Sequence, residues 1–299
     1  TTTDKATGAV TETTTTANGS VGTVKTDANG STEISASISA ADVKAAEQKN
    51  APIIAPITVT PAASSAAAPI IKLSVPANAG EVAVAIPVVN AKQGTVAVRV
   101  NPDGTEEIIK TAVITENGLV LGVKGSMQIK VINNSKNFAD TVGHWAASDV
   151  DFVSARELFN GIGNNLFGVS GNMTRGMVNT VLARLAGVDT TPKNGQKWYE
   201  VGNEWARANG ISDGTNPEAS VTREQLATLL YRFSGKPEVS GTLRFADAGA
   251  VSAYAQDALL WATQNGILNG VGNNCVAPSA DAQRAQVAAM MARYLKSAG

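Results

Sequence analysis

The 299-residue chain carries 24 Lys and Arg against 25 Asp and Glu, a formal net charge of -1, and its length suits about two domains. That balance excludes a protein that coats nucleic acid, and one Cys with one His (His144) excludes a disulfide framework and a multi-His zinc site. No apolar run reaches the roughly 20 residues of a membrane span, and a start at Thr1, without Met or a basic-then-apolar leader, marks a processed or excised chain.

Position is more telling than composition. All 6 Phe, 4 Trp and 4 Tyr lie between Phe138 and Tyr294, so two different modules are expected to meet near residue 137. Residues 1–39 are rich in Thr, with 9 in the first 16, and hold two Ala-Asn-Gly triplets, at 17–19 and 28–30, between alternating segments. Asn-Gly supplies the positive φ of tight hairpins and Thr suits a pleated surface, which predicts a thin β-meander; a disordered tract is the alternative. Ser39 is placed to cap a short helix over 40–49. Pro at 52, 56, 61, 69 and 76 then punctuates the chain, followed by strand patterns at 82–86, 95–100, 105–115, 118–123 and 127–132. Asp103, Glu106 and Glu107 are read as a solvated hairpin turn or a metal cluster. The expected division is a meander and helix over 1–50 and a small all-β domain over 51–136.

The second module repeats itself, and a fixed internal period outranks local propensity. Val178, Val181, Leu182 and Leu185 match Leu226, Leu229, Leu230 and Phe233, then Val287, Met290, Met291 and Tyr294. The shared 3, 1, 3 spacing is the stripe of a core-facing helix. Arg175, Arg223 and Arg284 open these helices, and Arg184, Arg232 and Arg293 follow nine residues on. Upstream, Gly161-Ile162-Gly163-Asn164-Asn165 matches Gly270-Val271-Gly272-Asn273-Asn274. Gly214 holds the equivalent place in a middle unit whose loop is shorter. A first helix is expected in each unit near 146–157, 200–209 and 254–265. No single unit can bury its stripe alone, so three units, over 137–187, 188–240 and 241–299, must share one core.

The residues Phe138-Ala139-Asp140, His144-Trp145-Ala146 and Met173-Thr174-Arg175-Gly176 resemble one unit of an S-layer homology domain. Trp198-Tyr199, Trp205-Ala206, Asn209-Gly210-Ile211 and Val221-Thr222-Arg223-Glu224 resemble a second; Phe245-Ala246-Asp247, Trp261-Ala262, Asn265-Gly266-Ile267 and Arg284 resemble a third. The middle unit departs by lacking the Phe-x-Asp opening. Met177 stands where the family often has an acidic residue, and Gln283 where Thr is usual. The resemblance implies an all-α, pseudo-threefold spindle, which here follows the all-β N-terminal module read from the strand patterns. It further implies binding to cell-wall glycans, commonly pyruvylated secondary polymers, by which surface proteins are anchored to the bacterial wall.

The residues give that implication partial physical support. Thr174 and Thr222 are N-cap candidates, and Thr222 with Gln225 makes a capping-box pattern. The Arg after each cap position opposes the helix dipole at a cost of about 0.3–1 kcal/mol, a repeated local disadvantage that needs compensation. One reading is an anion site, in which free N–H groups and the guanidinium of Arg175, Arg223 or Arg284 converge on a carboxylate, with Asp140 and Asp247 counted among the glycan-binding candidates; the other is an ion pair of the arginines with Asp140 or Asp247. Trp145, Tyr199 and Tyr254 either offer faces to sugar rings or pack at the spindle ends. Asn164 and Asn273, with their neighbours, either bond sugar hydroxyls or simply make turns. Trp205, Trp261 and Cys275 are read as packing residues, and His144 lacks a nucleophile or a spaced carboxylate for catalysis.

The expected function is non-covalent anchoring of a secreted surface protein to an acidic wall polysaccharide, with the N-terminal part for display or lattice assembly through the strand edges at 10–38. No cofactor is called for and no enzyme activity is expected, because a glycan-processing enzyme needs paired carboxylates in a cleft. The alternative is a self-assembling filament or lattice protein whose repeats bind other protein copies.

Overall fold

The computed structural model describes residues 1–298. Two units are distinguished: residues 1–136 with 154–157, and residues 137–153 with 158–298.

In the first unit the strands are β1 (Thr2–Thr3), β2 (Val10–Thr15), β3 (Val21–Thr26), β4 (Thr32–Ser37), β5 (Ile53–Ile54), β6 (Ile71–Ser74), β7 (Glu81–Ile86), β8 (Thr95–Val100), β9 (Glu106–Ile108), β10 (Val113–Thr115), β11 (Gly118–Lys124) and β12 (Ser126–Asn133). They form an eight-stranded sheet in the order β1-β2-β3-β4-β6-β12-β8-β9 and a four-stranded sheet in the order β10-β11-β7-β5. Both sheets are mixed: β4 pairs with β6, and β5 with β7, in parallel. The division expected near residue 50 is therefore absent from the sheet. Ile34 lies opposite Ile71, and Ile34, Ala36 and Ile38 share one core with Ile71, Leu73, Ile86 and Leu121. The Thr-rich segment is ordered because its few apolar residues enter that core.

The unit is not purely β. Helix α1 (Ala40–Lys49) starts where the Ser39 hydroxyl accepts from the Asp42 N–H at 3.0 Å. Asp42 in turn accepts from Thr16 Oγ1 at 2.6 Å, from Asn18 Nδ2 at 2.9 Å and from the Ser20 hydroxyl, tying the first hairpin turn to the helix. The Ala-Asn-Gly triplets do make hairpin turns, but only Gly19 and Gly30 take positive φ, at 89° and 83°. The Thr16–Ser20 and Asp27–Ser31 closures are three-residue loops with a Gly bulge. The strand expected over 105–115 is interrupted, because the Ile109 N–H turns to Ala97 O and the Ala112 N–H to Ile109 O. Arg156 is fully buried in this unit and donates to Ala112 O at 2.7 Å, Gln93 O at 3.1 Å and Thr95 O at 3.3 Å.

The second unit is built from α2 (Ala147–Ala155, its end within the first unit), α3 (Arg175–Leu185), α4 (Glu200–Ala208), α5 (Arg223–Phe233), α6 (Gln256–Gln264) and α7 (Arg284–Ala298). The second helices α3, α5 and α7 carry the apolar stripe, with Val178, Leu182, Leu226, Leu230, Val287 and Met291 at 0% exposure. Gly202 of α4 packs against α3 so closely that a Cβ there would lie 2.7 Å from Thr180 Cα.

The unit is helical, with a β-like element that the expectation of an all-α domain did not include. Short extended segments before α3, α5 and α7 bridge one another pairwise: Asn172 with Gln283, Thr174 with Ser220, and Thr222 with Asp281. Their hydrogen bonds close a ring, in which Met173 N–H donates to Ala282 O (3.0 Å), Ala282 N–H to Val221 O (2.9 Å) and Val221 N–H to Met173 O (2.8 Å). All three residues are at most 1% exposed. Because opening this ring requires parting three segments at once, the amides of Met173, Val221 and Ala282 are expected among the slowest to exchange with solvent; exchange as fast as that of the loop amides Gly163 and Gly272 would contradict the ring.

Candidate functional site

The first two N–H groups of each core helix, and the third of α3 and α5, are not free for an anion. Thr174 accepts from Met177 N–H and Thr222 from Gln225 N–H, capping the third position of each helix. The first two N–H groups are taken by the following unit: Arg175 and Gly176 donate to Ala219 O and Pro217 O, Arg223 and Glu224 to Ala280 O and Pro278 O, and Arg284 and Ala285 to Gly171 O and Val169 O. The helix-terminus half of the anion reading is thus corrected: those donors are spent on joining the units.

The guanidinium groups follow the same cycle. Arg223 donates through Nε to Val276 O and through Nη2 to Asn269 O, both at 2.8 Å, and is 4% exposed. Arg284 makes the corresponding bonds to Phe167 O and Asn160 O, both at 2.9 Å, and its guanidinium lies 4.8 Å from the Phe167 ring centre. Arg175 instead meets a side chain, the Asp213 carboxylate, in an ion pair.

Asp140 and Asp247 hold the loops that these arginines grip from the other side. Asp140 accepts from the N–H groups of Phe167, Gly168 and Val169 at 2.8, 2.7 and 3.1 Å, and Asp247 from Val276 and Ala277 at 2.9 and 2.7 Å. The expected ion pairs of the arginines with Asp140 or Asp247 are replaced by this arrangement, with the loop backbone between acid and base. Partial burial opposes ionisation of Asp140, but the three N–H donors outweigh it and hold the carboxyl below its ordinary value. The Val276 N–H does most to lower Asp247. Asn164 and Asn273 adopt φ of 48° and 49°, with their neighbours Asn165 and Asn274 at 55° and 53°. They are the two-residue turns whose left-handed backbone Asn tolerates.

Two grooves share one plan. The first, of about 270 Å³, is lined by Gln225, Thr228, Leu229 and Arg232 of α5 with Arg175, Asp213 and Tyr254. The second, of about 210 Å³, includes Met177, Thr180, Val181 and Arg184 of α3, with Arg284, Trp198 and the loop residues Asn160, Gly161 and Ile162. Each α5 position lies 48 residues after its α3 counterpart, so the repeat places an arginine pair beside an exposed aromatic in both. Asn164 and Asn273 line neither groove.

The aromatics need one correction. The residues two places before each first helix are Trp145, Trp198 and Tyr254, exposed by 60%, 47% and 52%. Tyr199 is one place too far along. It is 7% exposed, with its hydroxyl 3.3 Å from Glu218 Oε1, and offers no face to a ligand. Tyr254 donates its hydroxyl to the buried Glu224 at 3.0 Å; desolvation, then Glu224, pushes its pKa up to about 12, so it stays neutral. Trp198, Arg184, Arg232 and Asp213 were missed as site residues. The recurrence of an arginine nine residues into each core helix was the available signal for two of them.

Residues 137–176 and 244–288 match the S-layer homology domain. Domains of this family attach S-layer and other surface proteins to cell-wall polymers, and the match carries that coarse role for these regions. The chain is also 27% identical over 188 residues to the amylopullulanase of Thermoanaerobacterium thermosulfurigenes, covering 58% of this chain and 10% of that protein. To the exoglucanase XynX of Acetivibrio thermocellus it is 28% identical over 177 residues, covering 54% of this chain and 16% of that protein. The chain thus spans under a fifth of either relative. No helix among the described residues is long and apolar enough to cross a membrane.

Replacing Asp140 with Ala removes three charge-assisted bonds from the loop, at an expected cost of about 2 kcal/mol. With a folded pKa below the unfolded one, the aspartate's stabilisation is complete above the ordinary carboxylate range and fades as pH falls through the folded value. Urea titrations at neutral and acid pH should therefore show the gap between wild type and Asp140→Ala narrowing towards low pH; a gap that is constant or widens contradicts the assignment.

Proposed function

We propose that the second unit, including the middle repeat over 188–240 that lies outside the matched regions, is a three-repeat S-layer homology module that anchors a secreted protein to an acidic, pyruvylated secondary polysaccharide of a bacterial wall. The observation that carries this reading is the pair of equivalent grooves. In each, a guanidinium held by the neighbouring unit and a second arginine from the core helix face the same space as an exposed aromatic. Arg284 and Arg184 use only part of their donor sets on Asn160, Phe167, Leu158 and Thr190, which leaves N–H groups for a carboxylate and hydroxyls, while Trp198 supplies an apolar face for a sugar ring. The role is attachment, not catalysis.

The β-rich unit is then the displayed part. Its sheet edges are short: β1 and β5 have two residues and β9 and β10 have three, which disfavours edge-to-edge pairing. The longest edge stretch of the Thr-rich region is Glu12–Thr15, since β1 pairs only with Val10 and Thr11 and β4 is internal to the sheet.

Co-sedimentation with isolated bacterial walls tests the reading. The chain should pellet with intact walls, stay in solution after chemical removal of their secondary polymers, and lose several-fold affinity on Trp198→Ala. Equal pelleting with stripped walls, or without walls, would replace anchoring by self-assembly.

A further inference from the structure

The grooves on α3 and α5 are alike in plan but not in charge. In the α3 groove Arg284 and Arg184 face the space with no carboxylate in the lining; Asp140 acts on Arg284 through space, but its oxygens are turned to the N–H groups of Phe167, Gly168 and Val169. In the α5 groove the corresponding arginine, Arg175, is paired with Asp213. The difference arises from the short loop of the middle unit. Where Arg284 finds the carbonyls of Phe167 and Asn160, Arg175 finds a carboxylate at the groove mouth, with side-chain exposures of 17% for the arginine and 60% for the acid. Thr215 N–H and Oγ1, both 2.9 Å away, fix that carboxylate in place.

On the basis of the glycan reading above, we propose that Asp213 is a specificity-determining residue: it occupies Arg175 as an internal anion, so that the α5 groove rejects an acidic sugar and takes a neutral one, while the α3 groove takes the acid. A carboxylate entering the α5 groove would have to displace Asp213 from Arg175 and then lie beside it, and like charges a few ångströms apart repel strongly in a partly desolvated groove. The Thr215 N–H, Thr215 hydroxyl and Arg175 hold the Asp213 carboxyl below its ordinary value, so protonation does not relieve this near neutral pH. Arg223, at 4% exposure, presents no comparable guanidinium. The protein therefore binds one acidic residue per chain.

The test is calorimetric titration with a pyruvyl-ketal hexoside, with its neutral methyl ester as control, read together with side-chain NMR of Trp198 and Tyr254. Wild type should bind one equivalent of the acid, shifting Trp198 alone. Asp213→Asn, which keeps an oxygen for Thr215, should bind two, shifting Tyr254 as well, with affinity at the α5 groove raised at least about tenfold. Unchanged thermal unfolding would show that the variant is folded. Two acid sites in wild type, or one in the folded variant, overturns the role of Asp213 and leaves the glycan reading standing. No binding of acid or ester by either protein overturns both.

Discussion

The second unit depends on a ring of three backbone hydrogen bonds between residues that are far apart in sequence. Met173, Ala282 and Val221 each donate to one neighbour and accept from the other, so the three extended segments before the core helices form a closed figure. From it, α3, α5 and α7 leave with equivalent geometry. The first two N–H groups of each, which a helix cannot satisfy internally, are completed by carbonyls of the next unit. A repeat on its own would keep none of these three bonds and leave its helix start unpaired, in addition to exposing its apolar stripe. The threefold arrangement is thus enforced by backbone donors and acceptors as well as by burial.

The arginine that opens each core helix extends the same logic from backbone to side chain. Taken alone it opposes the helix dipole. In the fold it is a strap across the unit boundary, reaching the loop of the next unit while an aspartate of that unit holds the loop from behind in two of three cases. The strap also places a positive charge at the wall of a groove. Structure and proposed ligand binding therefore share one residue, and the grooves differ because the straps end differently: on carbonyls for Arg284 and Arg223, on a carboxylate for Arg175.

What was legible in the sequence was what is local. The 3, 1, 3 apolar spacing located all three core helices, Thr222 with Gln225 gave a capping box that is present, and Ser39 caps the helix it was expected to cap. What was illegible depends on partners distant in the chain. Nothing near Ile34 reveals that it pairs with Ile71 in parallel. The acceptors of Arg223 and Arg284 lie 46 to 124 residues away, so their guanidiniums read as free for an anion. Asp140 read as a ligand because its three donors lie 27 to 29 residues on. Helix α4 starts at Glu200 as expected, but the sequence does not show which of the two rings before it faces solvent, and one step along the chain separates the buried Tyr199 from the exposed Trp198.

The central claim, that the three repeats are one interlocked unit, is tested most directly by ending the chain at residue 240 and following the far-UV circular dichroism of its remaining helices through urea. Without Ala282 the ring is open, and Arg223 and Glu224 lose their carbonyl partners at Ala280 and Pro278. The account predicts that the cooperative helical transition disappears. A shortened chain that keeps two-thirds of the helical signal and unfolds cooperatively near the wild-type midpoint would contradict it.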